Sequence, residues 1–135
     1  MINIYSKSDS ELGRLLSNFA HTPFVLNGLK FESVEGWWYW FVTGKKYVKL
    51  RKLHGFEAKQ FGRQFERVCE VKENDLREAY LSKLTYNPDI KEMLLAYKGR
   101  FTHFYVMNGN RVEAKDTLWT AKLWEKIREE ITGKP

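Results

Sequence analysis

Glu35 is the residue of this sequence best placed to do chemistry. It stands in KFESVEGWWYWFVTGKK, Lys30 to Lys46, which holds three of the chain's five tryptophans together with Phe31, Tyr39 and Phe41. A carboxylate among rings needs a partner or a task, because an ionised group is costly to take out of water. Two influences oppose each other there. Burial raises the pKa of an acid, and the positive end of a helix lowers it. If the helix end wins, Glu35 stays ionised at neutral pH and suits a base or a counter-charge to a cationic transition state. Gly36 beside it is expected to let a ligand approach the backbone. Asp116, three residues before Trp119, is the second acid that stands out, although it serves equally well as a helix N-cap. The remaining acids read as surface charges. No phosphate loop, dinucleotide fingerprint, zinc motif or EF-hand is present, so neither a metal nor a cofactor is expected.

The elements that position these residues follow from pattern. PFVLNGLKFES reads as a hairpin turning at Asn27-Gly28, after which Ser33 caps a helix beginning at Val34. That helix is apolar nearly all round, as a buried helix is, and Gly44 ends it. EAKQFGRQFERV and NDLREAYLSKL read as helices, the second capped by Asn74 with Leu76, Tyr80 and Leu84 in register. Asn87-Pro88-Asp89 starts another helix, which stops at Gly99. INIYS reads as a short strand, and RFTHFYVM is the best strand candidate. Asn108-Gly109 turns the chain back through Arg111 to Glu113. A last helix starts near Asp116 or Thr117, with Leu123, Ile127 and Ile131 as its buried stripe. The expectation is one α+β domain over residues 1–135, mainly helical, with a small antiparallel sheet.

Composition bounds the function. The formal net charge of +6 attracts an anion such as a nucleotide, a phosphorylated metabolite or nucleic acid. Basic residues are densest from Lys45 to Arg67. A lone cysteine, Cys69, excludes an internal disulfide and suggests a reducing compartment. MINIYSKSDS is not a signal peptide and no apolar run spans a bilayer, so a cytoplasmic protein without a membrane partner is expected.

Six stretches in order carry a family resemblance: INIYSKSD; Leu16-Ser17-Asn18-Phe19; PFVLNGLKFESVE; Phe61-Gly62-Arg63; PDIKEMLLAYKG; and Asp116-Thr117-Leu118-Trp119. Together they resemble the YbiA-like family, also called NADAR domains, over almost the whole chain. The resemblance implies hydrolysis of an N-glycosidic bond in a phosphorylated ribosyl compound. The substrate classes are ribosylamino-pyrimidine phosphates of riboflavin synthesis and ADP-ribose joined to a base. It places Glu35 at the catalytic glutamate with Asp116 assisting, and Ser17, Asn18, Phe19, Trp38 and Trp119 along the pocket. Arg63 and Lys45 are the candidates for phosphate. Val42 stands where the family carries a lysine seven residues after the glutamate. That departure favours an alternative, a non-catalytic module binding ADP-ribose-like nucleotides or single-stranded nucleic acid. Glu35 and Asp116 together favour hydrolysis, with a nucleotide-like small molecule preferred over nucleic acid as partner.

Overall fold

In the computed structural model, which describes residues 1–133, the strands are short and the helices carry most of the ordered chain. The fold is α+β and mainly helical, as expected. Two compact units emerge: Asn18–Pro88, and Met1–Ser17 together with the chain from Asp89 onward.

The continuous unit begins with two strands, β2 (Phe24–Leu26) and β3 (Leu29–Phe31), paired antiparallel with Phe24 opposite Phe31. Asn27 and Gly28 both have positive φ, 52° and 80°, as a tight two-residue hairpin turn requires. Helix α2 (Val34–Val42) follows, with Ser33 as N-cap. The Ser33 hydroxyl accepts from the Gly36 N–H at 3.0 Å and donates to the Leu53 carbonyl at 2.9 Å. One side chain thus caps the helix, worth about 1 kcal/mol, and ties it to the next segment. That segment contains a 3-10 turn over Val48–Lys52 and then α3 (Gly55–Gly62). Helix α4 (Glu73–Tyr86) closes the unit.

Three local expectations are corrected here. Helix α3 does not continue to Val68. It ends at Gly62, and beyond it the Val68 N–H donates to the Val42 carbonyl at 2.7 Å, which draws the chain off the helical path. Lys72, not Asn74, precedes the first turn of α4, and Asp75 accepts its backbone N–H at 3.0 Å. Gly36 is not an opening for ligand. A Cβ there would overlap the Leu50 carbonyl and come within 2.9 Å of the Leu53 carbonyl. The missing side chain lets the 3-10 segment lie against α2.

The core of this unit includes Phe24, Phe31, Val34, Trp37, Leu50, Leu76, Tyr80 and Leu84. It also includes Lys83, which α4 buries completely; burial pushes its amine down to about 7.

The other unit pairs β1 (Ile2–Asn3) in parallel with β4 (Phe101–Thr102). Helices α1 (Glu11–Leu16), α5 (Pro88–Ala96, shared at its first residue with the other unit) and α6 (Leu118–Thr132) supply most of its core, with Leu16, Leu94, Phe101, Trp124 and Ile127 buried. RFTHFYVM is two strands, not one. The chain leaves β1 at His103 and continues as β5 (Phe104–Met107), which pairs antiparallel with β6 (Asn110–Glu113) across Asn108-Gly109. The Asn3 amide holds the break, donating to the Phe104 carbonyl at 3.0 Å and accepting its N–H at 2.9 Å. The parallel pair is an addition to the small antiparallel sheet that the sequence suggested.

Candidate functional site

Glu35 occupies the second position of α2, one residue after Val34. Its backbone N–H is one of the orphan donors of a helix start, and the Asn18 carbonyl accepts it at 2.9 Å. Asn18 is held in turn by its side chain, whose Oδ1 accepts from the Tyr80 hydroxyl at 2.7 Å. The segment after Ser17 is therefore fastened to α2 and α4, and the Glu35 backbone is fixed from two sides.

Glu35 as a residue is half-buried. Burial of its carboxyl pushes the pKa up to about 7, against the opposing pull of the charges of Lys59 and then Arg67. Of the two influences weighed from sequence, burial wins over the helix end. Tyr39, one turn along α2, is raised as well, first by burial and then by the charge of Glu35, while Arg67 and Arg63 pull it down. The Arg67 guanidinium lies 5.8 Å from the centre of the Tyr39 ring. Gly62 completes the packing, because a Cβ there would fall on that ring. One acid thus sits in desolvated surroundings with three cationic side chains, from α3 and the turn after it, within electrostatic reach of it or of its neighbour Tyr39.

Of the residues expected from sequence, the structure groups Asn18, Glu35, Trp38 and Arg63 in this region. Trp38 is half-buried and follows Glu35 by three positions, so the two share a helix face. Phe19, also half-buried, continues the chain from Asn18. Lys45 is placed elsewhere. It lies beyond the far end of α2, its ammonium 4.9 Å from the Phe41 ring centre and 5.8 Å from that of Trp40. Ser17, Asp116 and Trp119 belong to the other unit. There Ser17 is buried and ends α1, Asp116 is exposed in a 3-10 turn over Lys115–Thr117, and Trp119 is half-buried in the first turn of α6. Thr117, not Asp116, takes the capping position.

Sequence reasoning missed Lys59 and Arg67 as the charges on Glu35. The sequence placed them only within the basic run from Lys45 to Arg67, and their spacing of four through Arg63 marks no shared helix face because α3 ends at Gly62. Among the described residues no three His, Cys, Asp or Glu side chains gather as a metal site requires, and no helix is long and apolar enough to cross a membrane.

No family model matches the sequence, and no curated protein matches it. Among solved structures, the chain is similar to the NMR structure of the E. coli protein YbiA, with a TM-score of 0.71. The identity is 22%, and the match covers 96% of this chain and 83% of that one. At that identity the likeness is one of fold, and this chain has the YbiA-like fold.

Proposed function

We propose that this protein is an N-glycosidase acting on a phosphorylated ribosyl compound, with Glu35 as its acid–base group. One observation carries the reading: a carboxyl raised to about 7 by burial, on a residue whose backbone is anchored to Asn18, within reach of the charges of Lys59 and Arg67. A general base works best with a pKa near the working pH, and burial has brought Glu35 there.

The chemistry follows from the charges. As the bond from ribose C1′ to nitrogen breaks, its electron pair leaves with the base and the sugar becomes cationic. Ionised Glu35 stabilises that cation and takes a proton from the attacking water, whose oxygen bonds to C1′. The proton then passes to the departing nitrogen, directly or through solvent, and the reaction balances as addition of one water. Trp38 and Phe19 offer flat surface for the base. Lys59, Arg63 and Arg67 are the phosphate candidates, and the charges of Lys59 and Arg67 also favour the ionised form of Glu35. The ribosylamino-pyrimidine phosphates and base-linked ADP-ribose implied by the family resemblance are the substrates to try first.

The test is release of free base from a panel of these compounds by wild type and Glu35→Gln. Turnover is expected to fall by roughly 100-fold or more in the variant, with ligand affinity little changed. Wild-type hydrolysis that survives Glu35→Gln would refute the assignment. Binding without turnover in either protein would identify a non-catalytic module instead. The assisting role for Asp116 is tested separately with Asp116→Asn, read as turnover.

A further inference from the structure

A concave feature lies in the continuous unit, bordered by the far part of α2. It is a cleft of about 120 Å³ walled by Phe31, Trp37, Trp40 and Phe41, with the β2–β3 hairpin on one side. Asp75 and Glu78, one turn apart on α4, stand at its rim. Glu35 is not among its lining residues.

The occupant's chemistry is shown by the chain itself. Lys45 also lines the cleft, and its ammonium lies over the faces of Phe41 and Trp40. Aromatic faces attract cations through their negative quadrupole, and carboxylates at the rim add to that field. The backbone is arranged to deliver this group. Gly44 N–H donates to the Phe41 carbonyl at 3.3 Å, and Lys45 N–H to the Trp40 carbonyl at 2.8 Å, the paired bonds of a Schellman helix end. Both residues have positive φ, 98° and 63°, and Lys45 is not a glycine, so its backbone is held in a disfavoured region.

We propose that this cleft is a binding site for a small alkylammonium compound, and that the Lys45 ammonium at its wall competes for the faces of Trp40 and Phe41. The rings supply the cation-binding faces, Asp75 and Glu78 supply the negative rim, and the volume suits a trimethylammonium-sized group on a short stem. Lys45 is exposed and flexible beyond its Cβ, so a ligand displaces its ammonium without disturbing α2.

The probe is choline, followed by tryptophan fluorescence and calorimetry, with 3,3-dimethylbutan-1-ol as the uncharged counterpart of the same shape. Saturable choline binding is expected, with the alcohol at least tenfold weaker. Lys45→Ala removes the competitor and should tighten choline binding by roughly two- to fivefold. Glu78→Gln, an exposed position, should weaken it. Glu35→Gln should bind choline as the wild type does, so this result stands or falls apart from the glycosidase reading. No saturable binding even to Lys45→Ala, equal binding of alcohol and choline, or no tightening in Lys45→Ala would each overturn the proposal.

Discussion

Glu35→Gln should make the protein more stable in alkaline solution while removing its activity. In the unfolded chain the carboxyl ionises near its ordinary value of 4.5, and in the folded state near 7. Between those values the folded state binds more protons than the unfolded one, so stability falls as pH rises through this window. The group leaves stability intact below 4.5 and imposes its full penalty above 7. At 1.36 kcal/mol for each pH unit, the gap corresponds to about 3.4 kcal/mol. Glu35 is half-buried and water screens part of this, so about 2 kcal/mol is the expected size. Glutamine keeps the shape and cannot ionise. For 135 residues, at roughly 2.1 cal/mol/K each, the unfolding entropy is about 0.28 kcal/mol/K, and the variant should melt about 7 °C higher at pH 9. At pH 4.5 the two proteins should melt nearly together. Comparing variant with wild type at each pH cancels the titrating groups that do not interact with Glu35, the buried Lys83 included. A variant that melts lower at pH 9, or a difference that does not change with pH, would refute the claim that burial dominates at Glu35.

If ionised Glu35 is the base, kcat/KM should rise with pH and level off above about 7, and a profile flat from pH 5 to 8 would exclude it. Lys59→Gln and Arg67→Gln each remove a charge that favours the ionised form, so each should move that rise to higher pH, read from the same profile. Added salt, or removal of the phosphate from the ligand, should weaken binding if Lys59, Arg63 and Arg67 hold phosphate, and equal affinities across a salt titration would argue against it. Gly36→Ala should destabilise the protein by roughly 1–3 kcal/mol in denaturant unfolding, because its methyl meets backbone oxygen that has no rotamer to yield.

Much of the fold was legible because its punctuation is local. Ser33 marks the start of α2, Asn27-Gly28 and Asn108-Gly109 mark hairpins, and Pro88 starts α5, each by a backbone preference acting within a few residues. The misreadings involve partners distant in sequence. The end of α3 depends on Val68 finding the Val42 carbonyl, and the splitting of RFTHFYVM depends on β1, about a hundred residues away. Glu35 itself was legible as an acid among rings, but not the outcome of its two opposing influences, which depends on how much chain covers the carboxyl. Lys83 was readable in part: it falls seven residues after Leu76 and three after Tyr80, on the buried stripe, and only its charge hid it.

The division of the chain also sets an order of events during synthesis. The unit that holds Glu35 is one uninterrupted stretch, Asn18–Pro88, so all of its own contacts are available once that stretch has left the ribosome. The other unit is assembled from both ends of the chain, and β1, completed by residue 3, waits for β4 at residue 101 before it gains a partner. Closing so long a loop is entropically slow, whereas the hairpin and helices of the continuous unit close short ones. Pulse-labelled hydrogen exchange should therefore find α2 and α4 protected before the amides that join β1 to β4.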